Sequence, residues 1–411
     1  MALGALAALL VVAILHLPWR QEAAAAVLAT GVVLATGLVD RDAVTDTIRE
    51  LMPVVVFLVT ILVVADVCAR AGLFAAAARV VGRASGDRPA RLLLGIFLLA
   101  ALVTAVLSLD ATVVLLTPIV VGAAATLGTS YRPGAFACLR MANSASLLLP
   151  VSNLTNLLAL PHLDLDFVGF AARMGPVLLV VLLVEYAGLR LLFRRDLTPP
   201  RAGHPDLTGP PVPVVPVVVV ALMLVGFGVL SRWDLAPAWA STAAALVLVC
   251  WAWLQKAGAR RLVGPRDVAR AAHPSFALLV LALGVAVAAV ASGFLGGLVK
   301  DLVPSSTSFA ALLALAVLAT VLSALLTNLS ATILLVPLVA PLGTTAVLAA
   351  LLGLNIGSGL TWTGSLANLL WRRTLVQSGQ TVSSTAFHRV SLVITPVSLS
   401  LGVGTLALLG R

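Results

Sequence analysis

Residues 143–158, NSASLLLPVSNLTNLL, align without a gap on residues 355–370, NIGSGLTWTGSLANLL. The opening asparagine, the serine three positions later and the closing Leu-x-Asn-Leu-Leu coincide. A second pair of polar stretches precedes them, LSLDAT at 107–112 and TNLSAT at 327–332. Paired polar interruptions at corresponding positions of two apolar halves are typical of the binding site of a secondary transporter.

The remainder of the chain is strongly apolar. Hydrophobic residues make up 61% and charged residues 10% of the sequence, and the mean hydropathy is +1.12. Soluble domains carry roughly 25% charged residues. Stretches such as 54–65, 214–229 and 276–291 approach, with their flanks, the ~20 apolar residues that a bilayer-spanning helix needs. The composition therefore predicts a chain embedded in a lipid bilayer rather than a water-soluble protein.

The net charge of +10 does not indicate nucleic-acid binding, because the basic residues lie in short loops between apolar spans, where they set membrane orientation. The cysteines Cys68, Cys138 and Cys250 are far apart and form no C-x-x-C pair. We interpret them as structural residues and predict neither a metal site nor a cofactor.

Charge also predicts the topology. Apolar spans are expected at 3–18, 23–39, 51–69, 167–190, 213–231, 236–254, 275–298 and 388–409. Basic stretches lie at 70–91, 190–212, 256–270 and 371–389, whereas 39–50 and 161–166 are acidic. The positive-inside rule places the basic stretches on the cytoplasmic side of the membrane and the N-terminus outside. We expect the protein to lie in the plasma (inner) membrane.

This orientation requires a re-entrant hairpin in each half. Residues 92–126 enter and leave on the cytoplasmic side, and 134–160 then cross once with an interruption. In the second half, 308–345 form a hairpin from outside, and 346–372 cross once. We expect an all-α polytopic membrane protein of two inverted-topology repeats, each with a re-entrant hairpin and an interrupted transmembrane helix. The predicted parts are a first repeat at 1–193, a cytoplasmic linker at 194–212 and a second repeat at 213–411.

The polar stretches have a physical reason to form a site. Backbone that leaves a helix at membrane depth must be buried in protein or line a watery cavity, and half-helix ends can hold polar ligands. Pro150 and Gly364 are suitable helix breakers. The alternative is that the Ser and Thr hydroxyls hydrogen-bond to the backbone of their own helices and that the Asn side chains hydrogen-bond neighbouring helices together. The predicted substrate-binding residues are Ser108, Thr112, Ser152, Asn153, Thr155, Asn156, Asn328, Ser330, Thr363, Gly364, Ser365 and Asn368.

Asp110 lies at the tip of the first hairpin, with apolar arms on both sides. An acid at membrane depth is costly and usually serves as a proton relay or a cation partner. We expect Asp110 to be the proton-coupling residue; the alternative is that it caps the arm beginning at Thr112. Ser330 stands at the matching position of the second half, so only one half carries the charge.

Other charges within the spans have simpler interpretations. Asp66 with Arg70, and Glu185 near Arg190, are expected to lie by the cytoplasmic ends of their helices as exposed ion pairs. Arg140, early in the first interrupted segment, is either interfacial or an anion-binding group.

At these residues the chain resembles a known family. VTAVLSLDATVVLLTPIVV, MANSASLLLPVSNLTNLL and NIGSGLTWTGSLANLLWRR are similar to signature stretches of the arsenical pump membrane protein (arsenite permease) family. That family belongs to an ion-transporter superfamily with citrate, dicarboxylate and sodium/proton transporters. The resemblance implies inverted repeats with re-entrant hairpins, a proton-linked Asp110, and a pocket lined by Ser152, Asn153, Thr155 and Gly364–Ser365. The chain departs from the family pattern at Leu109, Asn143 and Thr327.

The leading functional hypothesis is proton-coupled export of arsenite or antimonite. Arsenite at neutral pH is mostly the uncharged trihydroxide, which suits hydroxyls and amides. The alternative is a sodium- or proton-coupled transporter of citrate, dicarboxylate or another small anion on the same fold. The four polar stretches contain no Lys or Arg, although half-helix N-termini can also hold anions.

Other classes fit less well. No H-E-x-x-H motif supports an intramembrane enzyme, and no P-loop supports an ATP-driven pump acting alone. A passive channel needs a continuous polar stripe, whereas the polarity here is confined to the midplane. Arsenite and protons are the predicted partners. A homodimer and a separate ATPase subunit docked on the basic loops are compatible with the sequence.

Overall fold

The structure is a computed structural model that describes residues 2–15, 19–37, 40–86, 88–197, 209–233, 235–257, 260–291 and 293–410. The first half contains helices α1 (Ala2–Leu15), α2 (Trp19–Ala35), α3 (Arg41–Arg70), α4 (Leu73–Ser85), α5 (Pro89–Val106), α6 (Thr117–Thr126), α7 (Arg132–Ser144), α8 (Leu154–Ala159) and α9 (Phe167–Leu192). The second half contains α10 (Val214–Leu230), α11 (Ala238–Leu254), α12 (Pro265–Ala271), α13 (Pro274–Ala291), α14 (Phe294–Leu302), α15 (Phe309–Leu326), α16 (Asn328–Val339), α17 (Thr344–Asn355), α18 (Leu366–Gln377) and α19 (Ser384–Leu409).

The two halves pack in matching order. Helix α5 packs on α7 as α15 packs on α17, and α1 packs on α2 as α10 packs on α11. The contacts between the halves match as well. Helix α3 of the first half contacts α11 of the second, and α13, the counterpart of α3, contacts α2 of the first. Helices α9 and α19, which end the two halves, lie against each other. The predicted fold class is therefore confirmed: the chain is an all-α membrane protein of two repeats.

Each half contains the expected hairpin. In the first, α5 leads to a tip at 107–110, and a π-helix at Ala111–Leu116 continues into α6. The Oγ1 atoms of Thr104 and Thr112 are 2.7 Å apart and join the two arms. In the second, α15 turns directly into α16 at Thr327, whose φ of 67° is left-handed.

Long apolar helices make the chain a multi-pass membrane protein. Among the described residues, seven helices are long and apolar enough to cross a membrane. Two of them, Pro89–Val106 and Phe309–Leu326, are hairpin arms rather than separate crossings. Large apolar side chains such as Leu222 and Leu183 are about two-thirds exposed. Exposed apolar surface on this scale suits acyl chains and not water.

The structure differs from the predicted spans in three places. The basic stretch 70–91 contains helix α4, which buries Phe74 and Ala76 and keeps Arg83 exposed, as an interfacial amphipathic helix does. The predicted span 275–298 divides into α13 and α14. Two short antiparallel strands, β1 (Lys256–Ala257) and β2 (Arg260–Arg261), lie in the 256–270 loop.

Parts of some predictions fall outside the described residues. Residues 198–208 of the predicted linker 194–212 are among them, as are 16–18 and 38–39 at the ends of the first two spans.

Candidate functional site

The first interrupted segment leaves the α-helix over residues 145–153, about two and a half helical turns of chain. Helix α7 ends at Ser144, and short 3-10 turns follow at Ala145–Leu147 and Pro150–Ser152. Asn153 is extended, and its side chain accepts a hydrogen bond from Thr155 N at 3.3 Å, which caps α8. Pro150 is where the sequence predicted a break, since proline lacks the amide that an interior helical turn needs.

The second interrupted segment repeats this arrangement. Helix α17 ends at Asn355, and a 3-10 turn follows at Gly357–Leu360. Ser365 is extended and caps α18 by accepting from Ala367 N at 3.2 Å. A Cβ atom at Gly364 would collide with the carbonyl oxygen of Ser358, so only glycine allows the chain to pass here.

Two asparagines satisfy the carbonyl groups that the breaks release. Asn156 Nδ2 donates to the carbonyls of Ser146 at 2.6 Å and Leu149 at 3.1 Å. Asn368 Nδ2 makes the equivalent bonds, to Ser358 O at 3.0 Å and Thr361 O at 2.8 Å. The acceptors lie ten and seven residues before the donor in both halves. These asparagines hold the broken backbone and do not line the cavity.

A pair of crossed hydrogen bonds joins the two halves. Asn143 Nδ2 donates to Asn368 Oδ1 at 2.9 Å, and Asn355 Nδ2 donates to Asn156 Oδ1 at 2.9 Å. The opening asparagine of each segment thus binds the closing asparagine of the other. Asn355 Oδ1 also accepts from Asn153 Nδ2 at 2.6 Å and from Thr155 at 2.8 Å. The two interrupted segments are therefore one hydrogen-bonded unit.

Removing one of these crossed bonds should destabilise the transmembrane core. We expect Asn143→Leu to lower stability by about 1–3 kcal/mol, because it leaves the buried Asn368 Oδ1 without its donor. Thermal unfolding in detergent measures the loss. Asn328→Leu is the matched control, because Asn328 lies outside this network. Equal melting temperatures for the two variants would contradict a bracing role for Asn143.

Each break is also fastened to the hairpin of its own half. Ser152 Oγ donates to the carbonyl of Ala105, at the end of α5, at 2.6 Å. Thr363 Oγ1 donates to Ala324 O, near the end of α15, at 3.1 Å. The second hairpin is held further by Asn328 N, which donates to Gly364 O at 2.9 Å.

A cavity of about 50 Å³ lies where the four polar stretches meet. We call it the inner pocket. Helices α3 and α13 contribute its apolar wall through Phe57, Leu58, Ile61 and Phe276. Among the described residues that line it there is no lysine or arginine. Its polar lining consists of Ser108, Asp110, Ser152, Asn153, Thr155, Asn328 and Ser365.

The other predicted site residues lie beside the inner pocket but not on its surface. Thr112 joins the arms of the first hairpin, and Asn156 and Asn368 bind backbone carbonyls. Thr363 binds Ala324, and Gly364 accepts from Asn328 N. Ser330 is fully buried, and its Oγ has no hydrogen-bond partner among the described residues.

Asp110 does not cap the hairpin arm. Among the described residues, its carboxylate makes neither a capping hydrogen bond nor an ion pair. Ser108 Oγ instead accepts from Ala111 N at 3.3 Å. The alternative interpretation of Asp110 as a structural cap is therefore wrong, and Asp110 lines two cavities.

The second of these spaces is a cavity of about 630 Å³, which we call the vestibule. It is bordered by the end of α3, the starts of α2 and α13, and α18. The end of α3, the start of α13 and the end of α18 adjoin basic stretches. The charged residues of the wall include Asp66 and Arg373. The vestibule and the inner pocket share only Asp110, Phe276 and Leu366 among their described lining residues.

A buried ion pair lies beneath the breaks. Arg140, 1% exposed, donates from Nε to Glu185 Oε2 at 2.7 Å and from Nη2 to Oε1, and Glu185 is fully buried. Arg140 Nη1 donates to Thr395 at 2.9 Å. Ser144 and Ser398 donate to Glu185 Oε1 at 2.9 and 3.3 Å. The pair joins α7, α9 and α19 with its hydrogen-bonding groups well satisfied.

This pair corrects two expectations. Glu185 is not at an exposed helix end beside Arg190, which is itself exposed. Arg140 is not interfacial, and its guanidinium adjoins the second break, where a Cβ on Gly359 would lie 3.0 Å from Nη1. The predicted Asp66–Arg70 pair is present, at 2.7 Å.

Sequence reasoning left some of these roles unassigned although a signal was present. Asn143 and Asn355 coincide in the aligned segments, which marks them as equivalent but does not say what they bind. Glu185 lies eighteen residues into a 26-residue apolar helix, too deep for an end position. Phe276 had no signal, since one aromatic residue in an apolar span is ordinary.

Comparison with known proteins places the chain in a family. The family described as citrate transporter matches residues 7–343. The chain belongs to this family. This agrees with the breaks, hairpins and central pocket, and the protein is a multi-pass membrane transporter of the predicted ion-transporter superfamily.

Curated relatives add a narrower likeness. The arsenical pump membrane protein of Yersinia enterocolitica is 28% identical over 373 residues, with 85% of each chain covered. The arsenical pump membrane protein of Shigella flexneri gives the same identity and coverage. Among solved structures, the YdaH transporter of Alcanivorax borkumensis covers 95% of this chain and 96% of its own, with a TM-score of 0.54 and 16% identity. That likeness shows the fold alone.

Proposed function

We propose that this transporter exports arsenite, and antimonite with it, in exchange for protons. The lining of the inner pocket carries the proposal. Hydroxyls and amides from all four polar stretches converge there with one carboxylate, Asp110, and no cationic side chain among the described lining residues. Such groups can donate to and accept from the hydroxyls of an uncharged trihydroxide. The arsenical pump relatives support this choice of solute.

The size of the inner pocket supports a small solute. Its 50 Å³ corresponds to about three or four water molecules, at about 10–15 Å³ each. Arsenite is a single arsenic atom with three hydroxyls. Its three oxygen atoms could therefore take the places of the water molecules that would fill the pocket. A tricarboxylate is much larger and would require the pocket to expand.

A citrate or dicarboxylate substrate is the second candidate, because the matching family is described as citrate transporter. Such a solute is an anion, and anions are usually held by guanidinium groups or helix N-termini. Arg140 adjoins the second break, but its guanidinium Nε and Nη2 already donate to the carboxylate of Glu185. Helices α8 and α18 begin at the pocket, so their amides could still serve an anion coupled to sodium or protons.

We propose that residues 1–193 and 213–411 are the inverted repeats, joined by a cytoplasmic linker at 194–212. With the basic stretches inside and the N-terminus outside, the vestibule opens to the cytoplasm. The hairpins and interrupted segments then move as a unit against the remaining helices and expose the inner pocket to one side at a time. The crossed asparagine bonds support a common movement, because separating the segments would break them.

Uptake into everted vesicles tests the solute and the coupling ion. We expect arsenite to accumulate when the vesicle lumen is made acidic, so that protons leave the vesicle as arsenite enters, and not when this gradient is collapsed. Citrate in excess should not compete. Citrate accumulation without arsenite accumulation, in vesicles shown to contain the protein, would replace the proposal with the second candidate. Sodium-dependent uptake at constant pH would show that sodium, and not the proton, is the coupling ion.

Two protein partners are also proposals. A second copy of the chain could pack on the exposed apolar surface, and a separate ATPase subunit could bind the basic stretches. The mass of the detergent-solubilised particle tests the first, and co-purification tests the second.

A further inference from the structure

The inner pocket and the vestibule share three lining residues among those described: Asp110, Phe276 and Leu366. Phe276 is the largest of them and is half-buried. It lies in the first turn of α13, whereas Asp110 belongs to the first hairpin and Leu366 to the second interrupted segment. The barrier is therefore built from both of the bodies that alternating access would move.

The backbone around Phe276 is held firmly on the α13 side. The residue before Phe276, Ser275, donates from its Oγ to Glu22 Oε2 on α2 at 2.9 Å. The carbonyl of His273 accepts from Phe276 N at 2.9 Å and from Ala277 N at 3.1 Å. His273 has a left-handed φ of 42° that sets the turn between α12 and α13. The base of the ring is thus anchored to α2 and α13, outside the hairpins and the interrupted segments.

We propose that Phe276 is the gate that closes the inner pocket toward the vestibule. This role rests on the proposed transport function and extends it to a residue outside the four polar stretches. In the present structure the ring and Leu366 separate a small polar pocket from a vestibule more than ten times its volume. Movement of the hairpins and breaks away from α13 opens this passage, while α13 itself stays in place.

Thiol accessibility tests the gate without any transported solute. Cys68, Cys138 and Cys250 are first replaced by alanine. Leu58→Cys then places a thiol on the wall of the inner pocket alone, and Leu62→Cys, one turn later on α3 and only partly buried, places one on the wall of the vestibule alone. A membrane-impermeant charged methanethiosulfonate is applied from the side of the basic stretches.

We expect Leu62→Cys to react quickly and Leu58→Cys slowly. Adding Phe276→Ala should raise the Leu58→Cys rate roughly tenfold and leave the Leu62→Cys rate unchanged, because an occluding side chain limits access by its bulk. Phe57→Ala is the matched control: Phe57 lines the inner pocket but not the vestibule, so its truncation should not raise the rate. Phe276→Leu should give a smaller rise than Phe276→Ala.

Several results would overturn the gate. One is fast reaction of Leu58→Cys while Phe276 is still present. Another is a Leu58→Cys rate that does not change when Phe276→Ala is added. A rise of the same size with Phe57→Ala would assign the effect to loosening of the pocket. Unchanged reaction of Leu62→Cys in the Phe276→Ala background verifies folding. If Phe276→Ala fails this check, Phe276→Leu is used in its place. Because no arsenite or proton gradient is present, the result is independent of the solute and the coupling ion.

Discussion

Glu185→Leu should destabilise the protein by about 3–5 kcal/mol, since breaking a buried ion pair leaves an uncompensated charge. Arg140 would keep its bond to Thr395 and lose both bonds to the carboxylate. No water-exposed route is open to its guanidinium, which is 1% exposed. We expect most of the variant to aggregate on solubilisation, and size-exclusion chromatography with thermal unfolding measures the loss.

The double variant Arg140→Met/Glu185→Leu separates charge from packing. Apolar replacement of both partners removes the desolvation cost with the attraction and is often close to neutral. We therefore expect the double variant to recover most of the stability that Glu185→Leu loses. Ser144 and Ser398 lose only one acceptor each. A double variant as unstable as the single variant would mean that the pair is needed to hold the second break at Gly359.

Asp110→Asn should abolish the proton dependence of transport while the protein folds and inserts normally. The carboxylate makes no capping bond or ion pair with any described residue, so the near-isosteric amide removes no observed structural contact. It does remove the only titratable side chain of the inner pocket among the described residues. Protons would then find no group to bind at the point where the two cavities meet.

Vesicle uptake at several imposed pH gradients measures this effect, with arsenite exchange at equal pH as the test of residual binding. Asp66→Asn is the matched control, because Asp66 also lines the vestibule but is paired with Arg70. It should retain a proton-dependent rate. Full pH-dependent uptake by Asp110→Asn would remove Asp110 from the coupling mechanism.

The hairpins and breaks were predictable from sequence because the bilayer leaves the backbone few choices. Apolar length predicts which segments are buried in lipid, and basic loops restrict how often the chain can cross. The aligned polar stretches then mark where helices are interrupted. Helix α4 was missed because its basic residues were counted as loop charge, although its apolar face is buried.

The assignment of roles among the polar residues was less predictable. Ser152, Asn153 and Ser365 reach the inner pocket as expected, whereas Asn156 and Asn368 turn toward backbone carbonyls. Asn153 and Asn156, for example, are the same residue type three positions apart. Which of them faces the cavity depends on the local rotation of the chain after each break, and sequence spacing does not determine that rotation once the helix has ended.

The sequence by itself determined the membrane environment, the two-fold repetition, the position of the breaks and the presence of one acid at a hairpin tip. These follow from local properties: hydropathy, loop charge and the backbone groups that a break exposes. The tertiary structure decided the partners. Asn143 meets Asn368 across 225 residues, and Arg140 meets Glu185 across 45. Such contacts arise only when distant helices pack together, because a buried amide or charge is satisfied by whichever partner the packing brings within reach.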